Sequence, residues 1–295
     1  MDSKIETICR EIARATGRPF APTGIEDVGG GCINSALVIA GREGSYFVKL
    51  NSAARLDMFQ AEAAGLAELA GAGAVRVPAP LCAGQADGSA FLVLEYLSLR
   101  SASVAALERL GRELAALHRA TRPSFGWVRD NTIGSTAQPN PLHHDWFKFW
   151  REARLGFQLD LAARNGAPGT LIGKGERLQD SFPALFGSYR PVPSLLHGDL
   201  WGGNFAVTEQ GEPVIFDPAV YYGDREADIA MTQLFGGFGP RFYAAYAEAW
   251  PLDEGYATRK VLYNLYHVLN HFNLFGGGYA SQAETMIDRL LAEIG

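Results

Sequence analysis

The chain has 295 residues, enough for one large or two medium domains, and its 47% hydrophobic and 20% charged content is that of a globular protein. With 26 Lys and Arg against 32 Asp and Glu the net charge is −6, which excludes the basic footprint expected of a nucleic-acid or anionic-membrane binder. No apolar run reaches about eighteen residues, Met1-Asp2-Ser3-Lys4 lacks a secretion core, and three scattered cysteines (Cys9, Cys32, Cys82) form neither a disulfide framework nor a zinc site, so a cytoplasmic location is expected.

Ser3-Lys4-Ile5-Glu6 reads as a capping box, and Ile5, Ile8 and Ile12 continue it at helical spacing until Gly17 and Pro19 end the helix. Ile25–Val28, Ala36–Ala40 and Tyr46–Leu50 read as strands, the first two joined by Gly29-Gly30-Gly31-Cys32-Ile33-Asn34-Ser35. A helix is expected over Ala54–Ala70, then a hairpin turning at Asp87-Gly88 and ending in Phe91–Leu97. The pattern switches to helices between Leu97 and Ser103. We therefore expect two units, residues 1–97 and 98–295. In the second, Leu107, Leu110, Leu114 and Leu117 make one stripe of a helix over Val104–Ala120. Thr121–Pro141 reads as a long loop. Helices are expected at His143–Asn165, Asp224–Phe235, Arg241–Trp250, Gly255–Phe275 and Ser281–Ile294.

The most specific pattern is His197-Gly198-Asp199-Leu200-Trp201-Gly202-Gly203-Asn204, followed thirteen residues later by Asp217. Phosphoryl transfer from ATP needs one carboxylate to orient the attacking hydroxyl, and an amide plus a second carboxylate to hold magnesium on the phosphates. His-x-Asp-x4-Asn with a later Asp has that spacing. Such residues are also common in turns, but here Pro193–Leu196, Asn204–Thr208 and Pro213–Phe216 read as flanking strands, whose ends can converge on one ion. Asp199 is the expected catalytic residue, and Asn204 and Asp217 are the expected magnesium ligands. His197 reads as a prop for the loop, Asp224 as a helix cap and Asp228 as a brace for the catalytic loop.

The remaining parts of a phosphate site occur upstream in order. Gly29, Gly30 and Gly31 would let backbone N–H groups approach phosphate oxygens, although a glycine-rich turn alone is weak evidence. Lys49 interrupts an apolar strand, either as an edge-strand charge or as the lysine that pairs the α- and β-phosphates. Glu62 is its expected partner, with Glu68 on the same helix as the rival. Glu95, Tyr96 and Leu97 fall where a linker would hydrogen-bond adenine. Gly173-Lys174 lacks the glycine and Ser/Thr of a Walker A loop. Trp201, Tyr221 and Tyr222 are candidates for the cleft wall. His267, Asn270 and His271 share a helix face and read as a polar wall or as satisfied core residues. Cys32 is either a small apolar filler or a redox handle within the phosphate lid.

With these residues in hand, the chain resembles the fructosamine kinase (ketosamine-3-kinase) family, on the protein-kinase-like fold shared with aminoglycoside and choline kinases. The resemblance runs over almost the whole chain. It rests on Leu196–Asn204, Phe216-Asp217-Pro218-Ala219, Tyr222–Met231, Phe125-Gly126-Trp127 with Asp130–Ser135 and Gln138-Pro139-Asn140, and Asn270–Gly276. Members usually carry Ser where this chain has Gly202. The resemblance implies an α+β, two-lobed fold, with a small antiparallel-sheet lobe bearing one helix and a larger, mainly helical lobe. It implies ATP-dependent phosphorylation of the 3-hydroxyl of a fructosamine, ribulosamine or erythrulosamine, on free or protein-bound amines, in deglycation. The expected cofactors are ATP and Mg2+. The chain would act as a monomer or as a redox-sensitive dimer through Cys32, with no nucleic-acid or membrane partner. A kinase for aminoglycosides or choline is the alternative within the fold, but Tyr256–Phe275 carries no carboxylate for a cationic antibiotic. A non-catalytic nucleotide scaffold is the alternative outside it, disfavoured because Lys49, Asp199, Asn204 and Asp217 are all kept.

Overall fold

The computed structural model describes residues 2–29 and 34–295. Gly30, Gly31 and Cys32, and with them the redox-dimer expectation, lie outside the described residues. Helix α1 (Ser3–Thr16) is capped by Asp2, whose carboxylate accepts from Lys4 N at 3.1 Å, and closes on Gly17 at φ 69°. The cap is thus one residue earlier than the Ser3 capping box predicts. Asp2 is extended at ψ 130° and sits where its short side chain meets the first free N–H groups.

Strands β1 (Pro22–Val28), β2 (Ser35–Gly41) and β3 (Gly44–Ser52) lead to α2 (Leu56–Gly71), which follows a single 3-10 turn. Strands β4 (Pro80–Ala86) and β5 (Ser89–Glu95) complete a five-stranded antiparallel sheet of order β1-β2-β3-β5-β4. Period-2 alternation divides β5 between two cores. Phe91 and Val93 join Ile5, Ile8 and Ile12 of α1, whereas Leu92 and Leu94 join Phe59, Leu66 and Leu69 of α2. Both faces are covered, which explains the unbroken apolar run Phe91–Leu94.

The chain then enters the helical part through β6 (Leu99–Arg100), which pairs with a strand more than 100 residues away, Arg100 opposite Val207. Helix α3 (Val104–His118) buries Leu110, Leu114 and Leu117 as its stripe predicts. The segment read as one long loop contains a hairpin, β7 (Asn131–Ile133) and β8 (Thr136–Gln138), turned by Gly134-Ser135 with Gly134 at φ 62°. Helices α4 (Trp146–Trp150) and α5 (Phe157–Arg164) are joined by a π-helical stretch, Arg151–Gly156. Helix α6 (Gly169–Ser181) was not expected from the sequence.

Strands β9 (Ser194–Leu196), β10 (Phe205–Thr208), β11 (Pro213–Ile215) and β12 (Tyr221–Gly223) form two small antiparallel ladders, β10 with β11 and β12 with β9. Helices α7 (Arg225–Leu234), α8 (Pro240–Ala249), α9 (Tyr256–Phe275) and α10 (Tyr279–Ile294) complete the chain. Helix α9 buries residues on every side, from Val261 to Asn270, because α5, α7 and α10 surround it. Among the described residues no helix is long and apolar enough to cross a membrane. The outcome is a small sheet-and-helix part followed by a larger helical part, in a mixed α+β protein-kinase-like fold.

Candidate active site

A cleft of about 580 Å3 lies between the sheet and the helical part. Lys49 and Glu62 line it from above, Glu95, Tyr96 and Leu97 at the linker, and Asp199, Asn204 and Asp217 from below. Gly29 and Trp201 also line it.

Lys49 is 6% exposed and its Nζ lies 2.6 Å from both Glu62 Oε1 and Asp217 Oδ1. This selects Glu62 over Glu68 as the lysine's partner. Glu68 is occupied elsewhere, accepting from the Tyr222 hydroxyl at 2.7 Å and from Arg122 at 2.8 Å. Burial works to lower the lysine pKa, but the two carboxylates outweigh it and the ammonium is held. The Asp217 side chain is 46% exposed, so one member of this cluster opens to the cleft. Its backbone is left-handed at φ 58°, a cost for a residue with a side chain.

The loop carrying Asp199 is fixed from beneath. Asp228, near the start of α7, accepts the backbone N–H groups of His197 at 2.7 Å and Gly198 at 2.8 Å. His118 of α3 sits 3.2 Å from the same carboxylate. His197 Nε2 lies 3.0 Å from Phe216 O, an atom that only accepts, so this nitrogen carries the proton and Nδ1 accepts from Asp199 N at 3.3 Å. Burial pushes the His197 pKa down, consistent with that neutral tautomer. Gly198 adopts φ 82°, and a Cβ there would sit 2.1 Å from Ala219 O. Asn204 donates to Asp199 O at 2.8 Å.

The Asp199 carboxyl is pushed up to about 7, first by burial, then by the charges of Asp217 and Asp228, with the Asn204 hydrogen bond acting against them. A carboxylate in that range is a competent proton acceptor near neutrality. The donor set also suits a hard cation. Asn204 uses its N–H on Asp199 and has its carbonyl oxygen to offer, and Asp217 adds carboxylate oxygen. Two protein oxygens, completed by phosphates and water, match the usual holding of magnesium.

The linker and the wall differ from the sequence reading in detail. Glu95 turns its carboxylate to Arg76 and to Ala79 N, the latter at 3.1 Å, so its side chain acts as a brace. Trp201 lies at the mouth of the cleft, over Gly203. Tyr221 does not line the cleft: it is 3% exposed and packs against both Phe149 and the Arg154 guanidinium, the latter 4.0 Å from its ring. His267 is buried too, whereas His271 is half-buried and packs against Phe235 at 5.0 Å. Asn131, Thr132 and Gly134, which the family resemblance includes without a place in the site, line the cleft from the unexpected hairpin. The Gly134-Ser135 turn between the β-branched Ile133 and Thr136 was the available signal. Sequence reasoning missed His118, which carries no local signature.

An acidic loop facing a lysine–glutamate pair across an interlobe cleft defines the class: a protein-kinase-like phosphotransferase. Solved structures agree at the level of fold. An aminoglycoside phosphotransferase is 14% identical with a TM-score of 0.63, over 97% of this chain and 98% of that one. The family is shown by closer relatives, and the chain belongs to the fructosamine kinase family, whose model matches residues 4–293. It is 48% identical over 291 residues to a probable ketoamine kinase of Synechocystis sp., covering 97% of this chain and 96% of that protein. It is 43% identical over 294 residues to the chloroplastic protein-ribulosamine 3-kinase of Arabidopsis thaliana, covering 99% and 90%. The crystal structure of a Haemophilus somnus protein assigned as a fructosamine-3-kinase superposes with a TM-score of 0.89 at 31% identity, over 98% of both chains. The chain is therefore a kinase.

Proposed function

We propose that the chain phosphorylates the 3-hydroxyl of a ketoamine, a fructosamine, ribulosamine or erythrulosamine, with ATP and Mg2+. Residues 1–97 form the nucleotide-binding lobe and 98–295 the catalytic and acceptor-binding lobe. The supporting observation is the joining of Lys49, Glu62 and Asp217 in one ion cluster in the same cleft as Asp199 and Asn204.

Lys49 contacts the α- and β-phosphates while Glu62 keeps its ammonium in place. Gly29 and the linker Glu95–Leu97 offer backbone groups to the phosphates and to adenine. Asn204 and Asp217 would hold magnesium, which when bound would supply neutralisation of charge on the phosphate oxygens. Asp217 is 46% exposed, so turning one carboxylate oxygen from Lys49 toward a cation would cost little desolvation. Asp199 accepts a hydrogen bond from the acceptor hydroxyl and takes its proton as the new oxygen–phosphorus bond forms and the bond to the β-phosphate oxygen breaks.

The test is ADP release with ribulose-, erythrulose- and fructose-lysine, and with kanamycin and choline as contrasts. Turnover of a ketoamine, reduced on the order of 10³-fold or more by Asp199→Asn, is the expected result. Turnover of kanamycin or choline with none of the ketoamines would overturn it.

A further inference from the structure

The nucleotide cleft leaves unexplained a row of exposed rings that begins at its mouth. The Trp201 ring centroid lies 6.0 Å from that of Phe235, which lies 5.0 Å from His271. His271 in turn lies 5.7 Å from Phe275 and 5.2 Å from Tyr279. Trp201, Phe235 and Phe275 are 38%, 41% and 60% exposed. Scattered surface aromatics need no explanation, but aromatics in mutual contact across four segments form a patch, and such patches mark interaction sites. The rim of the row is backbone. Gly236 and Gly237 follow Phe235, and Gly276, Gly277 and Gly278 follow Phe275. A Cβ at Gly236, Gly276, Gly277 or Gly278 would meet nothing within 4 Å, so main chain there is open to another backbone.

We propose that this row is the docking surface for a polypeptide carrying the ketoamine, with Phe235 and Phe275 receiving the apolar residue beside the glycated lysine. The proposal rests on the ketoamine reading above. The acceptor hydroxyl must reach Asp199, so the amine and whatever bears it leave the sugar at the mouth, where Trp201 stands. Aromatic faces there suit the secondary ammonium of a ketoamine and the aliphatic stem of lysine. From Trp201 each ring contacts the next, so the aromatic surface continues beyond the cleft residue to Phe235, His271 and Phe275. An extended chain advances about 3.3 Å per residue, so each neighbouring pair of rings, 5.0 to 6.0 Å apart, is within the span of two residues. The interior of such contact surfaces is aromatic and poor in charge, with hot spots at large rings.

The experiment is calorimetric titration of the protein, in the presence of ADP, with two pentapeptides fructosylated on the central lysine. One has Leu on both sides of that lysine and the other Ser. The Leu peptide should bind about tenfold more tightly. Phe235→Ala and Phe275→Ala should each shrink the ratio of the two affinities several-fold, and Phe275→Leu should retain most of it. Thermal melts check that the variants remain folded. Equal affinities for the two peptides, or a ratio untouched in the Phe235→Ala, Phe275→Ala double variant, would overturn the surface. Phosphate transfer to the same peptides reports separately on the kinase reading. Transfer without the affinity preference sinks the surface alone, and preference without transfer sinks the ketoamine kinase reading alone.

Discussion

Two buried cations in this molecule each face two carboxylates, and they behave as opposites. Lys49 bridges Glu62 and Asp217 at the edge of an open cleft. Arg259, on α9, is 1% exposed and binds Glu226 through two bonds of 2.8 and 3.0 Å, and Asp253 at 2.6 Å. Its guanidinium also stacks on Tyr189, 4.2 Å from the ring centroid. Around it, Asp224 receives the hydroxyls of Tyr189 and Tyr263 at 2.8 and 2.5 Å. A planar fork held in two directions fixes geometry, whereas a point charge on a flexible stem can change partner. The Arg259 cluster ties α7 to α9 with Glu226 wholly buried, whereas the Lys49 cluster opens through Asp217 into the cleft. Burial of an ion cluster thus does not by itself mark a functional site. What sets the Lys49 cluster apart is that its exposed member, Asp217, lines the cleft, whereas Asp253, 36% exposed, does not.

Substitutions can break that contrast. Lys49→Met should lower kcat/KM on the order of 10³-fold, about 4 kcal/mol, while the melting temperature falls less than in Arg259→Met, because Asp217 is 46% exposed and Glu62, though largely buried, lines the cleft. A large drop in melting temperature with activity kept would invert the assignment. Arg259→Met should do the reverse. Glu226 would be left buried without its partner, at a cost of about 3 kcal/mol and roughly 5 °C in Tm, while kcat measured well below Tm stays within about threefold. Differential scanning calorimetry beside steady-state kinetics reads both.

A smaller effect separates a buried imidazole from both clusters. Burial, with His271 beside it, holds the His267 pKa down to about 3 from 6.5. Between those values the unfolded chain binds a proton that the folded chain refuses. The stability linked to His267 is therefore complete above pH 6.5 and declines as pH falls toward 3. Replacing it in His267→Asn should flatten the dependence of Tm on pH between about 4 and 6.5. An unchanged slope would mean that His267 is hydrated in solution.

What the sequence made legible follows the range over which its signals act. The spacing of Asp199, Asn204 and Asp217 was readable because the loop and the hairpin after it are local. Lys49 and Glu62 were readable because strand and helix periodicity put both on inward faces. Helix α6 carries Gly173 and Gly175, whose low helix propensity weakens its signal in the sequence. Gly175 in fact lets the helix close on Leu159, whose Cδ2 would lie 2.5 Å from an added Cβ. Tyr221 was placed at the wall because aromatic identity does not reveal which side of a strand faces Arg154. His118 and Asp228 meet across 110 residues, a contact that no local pattern encodes.

The catalytic loop contains glycines of two kinds. Position 198 combines φ 82° with a carbonyl 2.1 Å from any added Cβ, whereas an added Cβ at Gly202 meets nothing within 4 Å. A saturation library across this loop should therefore return glycine alone at 198 and a broad set at 202. A side chain has room at one of these positions and none at the other, four residues apart.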